Sequence, residues 1–305
     1  GYAINLLVIP LLMFVDASIF YVAIILILLE RVGKGIRAPA KSALTSFTTE
    51  QLGVGKAFAL QEAMDQFGAF LGPIFVFMVL SFNQGSELKG YQMAFGLLGI
   101  FAIMTLVILI IAKIKYPYPD QFEKKTSKTP FKSQRVFIFY MIAIVCIALG
   151  FIDYPILAFH MSQTSAIDVT YIPLLYALAM GVDAIAALIF GHLYDRKGIT
   201  SLMISVGFSV CIAPVFFLIS GYLGLILGVI LWGIGMGAQE SILKAVVAGL
   251  VSKEKRATAY GIFYTVFGSA WFIGSMLIGL FYEIEIIYVV IYTMIMQVLA
   301  ILCLV

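Results

Sequence analysis

Charge is scarce in this chain. Lys, Arg, Asp and Glu make up 11% of its 305 residues, against about 25% in soluble globular domains. With 63% hydrophobic residues and a mean hydropathy of +1.08, an ordinary soluble domain is excluded, because apolar usage there stays near about 45–50%. Cysteine is rarer still. Cys146, Cys211 and Cys303 lie inside apolar runs, are odd in number and form no CxxC, which argues against a disulfide framework or thiolate site and leaves small core residues. The two histidines, His160 and His192, are far apart, and no Ser/His or metal-ligand constellation accompanies them. An intramembrane enzyme therefore has no positive support. No cofactor, metal or nucleic-acid partner is expected. The first residues run straight into an apolar stretch without a basic region, so no signal peptide is read there.

What the chain does have is long apolar runs. Ten segments read as helices, at about 1–16, 19–45, 54–82, 90–114, 135–160, 169–193, 200–219, 221–250, 258–281 and 284–305. They are too long and too uniformly apolar for barrel strands, and only helices or closed barrels satisfy the backbone in lipid. The fold class expected is an all-α membrane protein with ten transmembrane helices, its partner the lipid bilayer. Most connections are short; 115–134 is polar, Pro-containing and basic, and reads as a linker between a half at 1–114 and a half at 135–305. Loop charge sets the orientation. The linker and its edges, the turn at 194–198 and the loop at 251–258 together carry twelve Lys and Arg, whereas the alternate loops carry only Lys89. The positive-inside rule then makes the first set, including the linker, cytoplasmic.

The rare charges are not scattered. Glu30, Lys34, Arg37 and Lys41 recur at i, i+4, i+7 and i+11 on one helical face, with Arg31 beside them. A helix starting near Ile19 carries Glu30 and Arg31 roughly 16 to 18 Å along its axis, mid-way through a hydrocarbon core about 30 Å thick. Each charge at that depth costs about 2.5 to 3.5 kcal/mol on insertion scales, and such groups normally face a bundle interior or a wet cavity. Glu30, Arg31 and Lys34 are read as lining a path through the membrane. Arg37 and Lys41 lie far enough along to snorkel to the cytoplasmic interface.

An internal repeat runs at an offset of 202 residues. Gly33, Gly35, Ala57, Phe58 and Gly72 align without a gap on Gly235, Gly237, Ala259, Tyr260 and Gly274, the parallel duplication from which transporter halves are built. Six helices follow the linker and four precede it, so the first half is expected to lack its first two helices.

Three motifs carry a family resemblance. Gly191-His192-Leu193-Tyr194-Asp195-Arg196-Lys197-Gly198 resembles the loop signature Gly-x-x-x-Asp-Arg/Lys-x-Gly of the major facilitator superfamily, matching at Gly191, Asp195, Arg196 and Gly198 and departing at Ile199 and Thr200. Arg31-x-x-x-Gly35 resembles that family's Arg-containing signature on the fourth helix, with Lys34 in place of glutamine. Gly68-x-x-x-Gly72-Pro73 resembles the core of its antiporter signature, with Phe75 and Val76 where glycines are expected. The chain is thus identified as a member of that superfamily, helices three to twelve of the usual twelve. The resemblance implies two pseudo-symmetric helical bundles that rock about a central site, giving secondary active transport of a small solute by alternating access. By the family's pseudo-symmetry, Asp195 meets the start of the helix near Val54. Gly33, Gly35, Gly68, Gly72, Pro73, Gly235 and Gly237 are read as helix-packing residues.

The acids within the spans point to coupling. Glu62, Asp65 and Gln66 share a face; Asp153 lies mid-span before Tyr154-Pro155; Asp183 is central in its helix; Glu240 and Lys244 form an i, i+4 pair. A carboxyl out of water can load and release protons near neutral pH, so protons are the expected coupling ion. Asp65 and Asp183, with no opposite charge at helical spacing, are the preferred carriers. Export of a drug or metabolite by antiport ranks slightly above uptake of an organic anion or metabolite by symport. A non-transporting receptor is disfavoured by the acids in both halves. The expected protein is a monomer in the cell membrane.

Overall fold

A computed structural model describes residues 1–15, 19–47, 52–82, 87–117, 134–164, 167 and 171–305. Every regular element among them is helical: α1 (Tyr2–Leu7), running on as a 3-10 turn (Ile9–Phe14), α2 (Phe20–Phe47), α3 (Val54–Phe82), α4 (Glu87–Lys115), α5 (Gln134–Gly150), α6 (Tyr154–Gln163), α7 (Ile172–Lys197), α8 (Ile199–Val210), α9 (Ile212–Leu218), α10 (Tyr222–Leu250), α11 (Arg256–Ile284) and α12 (Ile286–Leu304), with a short 3-10 turn at Lys253–Lys255. All ten expected segments are helical. Seven stretches among the described residues are long and apolar enough to cross a bilayer, including Arg135–Gln163, Leu174–Lys197 and Tyr222–Leu250. α2 has the length, at 28 residues, but carries the five charged side chains from Glu30 to Lys41.

Three segments that read as single helices are interrupted, and proline lies at or just after each interruption. Pro10 opens the 3-10 turn after α1, and Pro214 sits in the first turn of α9, just past the step at Cys211. The break between α5 and α6 has the most consequence. Pro155 has no N–H for the Phe151 carbonyl, and it lies in the first turn of α6, where that N–H would be unpaired anyway. Residues 151–153 leave the helix, with Asp153 extended at φ −72°, ψ 139°. A carbonyl freed inside an apolar bundle must find a donor. Ile152 finds one in the Trp232 indole, whose Nε1 donates to its oxygen at 2.7 Å.

Packing divides the chain into two compact units, Gly1–Phe47 with Ala69–Lys124 and Thr48–Gly68 with Lys125–Val305, so the boundary falls inside α3. Residues 118–133 of the linker lie outside the described residues. In the first unit α1 packs along α2 and the 3-10 turn along α4. In the second, α10 is the axis of the core, packing most extensively on α7 and then on α8 and α9. It is apolar or small around most of its circumference, as a helix enclosed on several sides must be, and Gly224, Gly228, Gly233, Gly235 and Gly237 are buried in it.

Candidate functional site

The second unit gathers its ionisable side chains around α10. Lys244 lies at the centre: its Nζ is 2.7 Å from Glu62 Oε2 on α3 and 3.6 Å from Glu240 Oε2 one turn back on α10. Glu62 is 2% exposed, and its other oxygen accepts a hydrogen bond from Gln66 Nε2 at 3.1 Å. The backbone beneath is pinned by two tyrosines. Tyr260 Oη donates to the Lys244 carbonyl and Tyr140 Oη to the Leu243 carbonyl, both at 2.8 Å. Gln239, on the next face, donates to Ser209 Oγ at 2.7 Å.

Asp183 on α7 completes the group. It is 0% exposed, and neither carboxyl oxygen has a hydrogen-bond partner among the described residues. Glu240, Glu62 and Lys244 lie within its electrostatic reach. Gly237 makes this position possible, because a Cβ there would lie 2.7 Å from Asp183 Oδ1 and nearer still to its backbone oxygen. One lysine therefore faces three carboxyl groups in an apolar interior. Charge cannot balance there with all three ionised, so the group suits the uptake and release of a proton.

The remaining predicted residues lie elsewhere. Asp65 is exposed on α3. Asp153 is half-buried at the α5–α6 break, where its Oδ2 accepts from Ser275 Oγ at 3.1 Å. In the first unit Glu30 is held by Asn5, whose Nδ2 donates to its Oε1 at 2.6 Å. Arg31 Nε stands 3.4 Å from Glu30 Oε2 with its side chain 68% exposed. Lys34 is exposed, and Arg37 lies over the Tyr2 ring at 5.2 Å. His160 is buried among Phe216, Phe217 and Tyr282, with Nδ1 2.9 Å from the Tyr282 hydroxyl.

The glycines divide by environment. At Gly33, Gly235 and Gly237 a Cβ would collide with Asn5, Ser209 and Asp183 respectively, whereas at Gly35, Gly68 and Gly72 nothing beyond the glycine's own helical turn lies within 4 Å of one among the described residues. The side chain of Pro73 lies outside the described residues.

The loop motif makes a second site. Asp195, in the last turn of α7, accepts from Gly55 N at 2.7 Å and from Lys56 N at 3.0 Å. These are orphan amides of the first turn of α3, where the helix dipole favours an anion. Gly53, at φ +93°, sets the turn that aims them. Close approach of the backbones is a condition of the contact, since a Cβ on Gly55 would meet the Gly191 carbonyl and one on Gly191 the Gly55 carbonyl. Gly198, at φ +58°, ends α7, and the exposed Arg196 and Lys197 sit in its last turn, where cations suit the dipole.

Tyr140, Tyr260, Ser275 and Trp232 were not legible as site residues; an isolated Tyr, Ser or Trp in an apolar run carries no spacing signal. Among the described residues no three His, Cys, Asp or Glu side chains are placed to hold a metal ion.

Comparison with known proteins agrees with this architecture. The Major Facilitator Superfamily profile matches residues 1–275. An uncharacterized protein of Mycobacterium tuberculosis (strain H37Rv) is 33% identical over 293 residues, covering 94% of this chain and 70% of that protein. An uncharacterized MFS-type transporter of Methanocaldococcus jannaschii is 28% identical over 278 residues, covering 86% of this chain and 66% of its own length. Among solved structures, a bacterial homologue of the iron transporter ferroportin in its outward-facing state superposes with a TM-score of 0.68 at 14% identity, over 99% of this chain and 80% of that one. The human organic anion transporter MFSD10 superposes with a TM-score of 0.71 at 14% identity, over 100% of this chain and 76% of that one. At such identity the two structures speak for the fold alone. The chain belongs to the Major Facilitator Superfamily: it is a multi-pass membrane transporter, not an enzyme.

Proposed function

We propose that this transporter is proton-coupled and exports a small organic solute by alternating access, with Asp183 and the Glu62–Lys244–Glu240 group as its coupling element. The observation that carries the reading is Asp183, a fully buried carboxyl without a hydrogen-bond partner among the described residues. It lies beside a lysine that already holds two carboxylates. A proton on Asp183 removes a charge the interior cannot neutralise; its loss restores that charge and alters the pull on Lys244. Asp65, exposed one turn from Glu62, is the second carrier. The antiporter-like run from Gly68 to Pro73 supports export. Loop charge supports a cytoplasmic 115–134 linker between halves at 1–114 and 135–305, and the reading takes the protein as a monomer in the cell membrane.

Uptake of an organic anion is a second reading. The exposed Lys34 on α2 favours it, since that ammonium has no ion-pair partner among the described residues. The test is proton movement in proteoliposomes holding a trapped pH dye and exposed in turn to a panel of organic cations, anions and neutral solutes. Solute-driven proton movement into the solute-loaded compartment, opposite to the solute and lost in Asp183→Asn, is the expected result. Proton flux at the wild-type level in Asp183→Asn refutes the coupling assignment.

A further inference from the structure

Above the coupling group lies a second constellation. The α5–α6 break brings Phe151 and Tyr154 against rings from three other helices: Phe151 is 6.0 Å from Trp232 and 5.3 Å from Trp271, and Tyr154 is 5.4 Å from Trp232 and 4.8 Å from Tyr176. Asp153 stands between Phe151 and Tyr154. It holds the N-cap position of α6, yet its side chain makes no capping hydrogen bond. Among the described residues its side chain has one hydrogen-bond partner, the neutral Ser275 hydroxyl, and no cation in an ion pair with it. Phe151, Tyr154 and Trp232 are buried, while Asp153, Tyr176 and Trp271 are half-buried.

We infer that this box binds the positively charged end of an organic cation, such as an alkyl- or arylammonium, with Asp153 as counter-ion and the rings as its walls. Ring faces carry negative potential and attract cations, most strongly on tryptophan and when desolvated. A lone carboxylate beside five such rings repels an anion and offers a neutral solute almost no hydrogen-bond donor. The coupling group is separate but on the same two helices. Tyr176 precedes Asp183 by seven residues and Trp232 precedes Glu240 by eight, so the box lies roughly 10 to 12 Å from that group along α7 and α10. This deepens the export reading and rests on it for direction, whereas binding stands apart from transport.

The chain supplies its own probe. Its two tryptophans are Trp232 and Trp271, so intrinsic tryptophan emission of the purified protein reports on the box alone. Phenyltrimethylammonium is titrated against its neutral carbon isostere, tert-butylbenzene, and against benzenesulfonate, in nanodiscs without any gradient. The expected result is a saturable emission change with the ammonium only, weakened roughly 10-fold or more by Asp153→Asn, which removes the Coulomb attraction of the carboxylate for the cation, and restored by Asp153→Glu. An equal response to the neutral isostere, a preference for the sulfonate, or no saturable response to the ammonium overturns the inference. If Asp153→Asn does not fold, the three-ligand comparison on the wild-type protein decides alone. A protein that binds the ammonium but moves no solute across a sealed bilayer contradicts the transport reading and leaves the site standing.

Discussion

Substituting Lys244 by methionine tests the coupling group most sharply as a structure. The ammonium sits 2.7 Å from Glu62 and 3.6 Å from Glu240, with the Glu62 side chain 3% exposed and that of Glu240 29% exposed. Removing one partner of a buried ion pair leaves the other charge unpaired, at a cost of about 3–5 kcal/mol. Lys244→Met leaves Glu62 and Glu240 facing each other and Asp183 without any cation, so it falls at the upper end of that range. Glu62→Gln is milder, because Lys244 keeps Glu240 and Gln66 keeps an amide to bond. The double variant Glu62→Gln/Lys244→Met removes both buried charges and is expected to recover most of the loss, as neutral replacements of buried pairs generally do. Glu240→Gln, the more exposed of the two glutamates at 29%, costs about 1 kcal/mol or less. Thermal unfolding of the detergent-solubilised protein, followed by size-exclusion chromatography after heating, measures all four. At about 2 °C per kcal/mol for a chain of this size, Lys244→Met lowers the midpoint by roughly 10 °C and the double variant by much less. A double variant that loses as much as the two single variants added together refutes the pairing.

Three further outcomes follow from contacts already described. Asp195→Ala removes the acceptor for two α3 amides and costs about 1–2 kcal/mol, as loss of a helix cap does; faster hydrogen exchange at Gly55 and Lys56 is the check, and unchanged exchange there contradicts the contact. Gly55→Val or Gly191→Val forces side-chain atoms into the facing carbonyl, an overpacking penalty of about 1–3 kcal/mol or more, read as loss of the monodisperse elution peak that Gly35→Ala, with open space around it, retains. Trp232→Phe leaves the Ile152 carbonyl without its donor at the α5–α6 break, a loss of about 1–3 kcal/mol, measured as a lower unfolding midpoint; an unchanged midpoint removes that hydrogen bond from the account of how the break is tolerated.

The fold was largely legible because lipid leaves few alternatives. Long apolar runs must be helices, and the loop lysines and arginines alternate in step with them. The breaks were less visible. Pro155 stands in an apolar run that read as one helix, and whether a helix bends or unwinds there depends on a donor for the freed carbonyl, which Trp232 supplies from 80 residues away. In the site, Glu240 and Lys244 announced themselves by helical spacing, since i, i+4 residues share a face. The Lys244–Glu62 contact joins residues 182 apart and has no local signal. The same holds for the tyrosines that pin the carbonyls of Leu243 and Lys244. Glycines were legible as small residues, but their neighbours were not: Gly237 receives Asp183, while Gly68 and Gly72, with the better motif, have nothing beyond their own helical turn within 4 Å of an added Cβ among the described residues.

The central claim is that a buried, unpartnered carboxyl couples solute movement to protons. Proteoliposomes containing wild-type protein, Asp183→Asn or Asp65→Asn, each verified as folded by its elution profile, are given the same solute gradient while internal pH is recorded. The account predicts solute-driven proton movement in the wild type and its loss in both variants, with solute counterflow across the sealed bilayer retained. Proton movement at the wild-type rate in Asp183→Asn contradicts it.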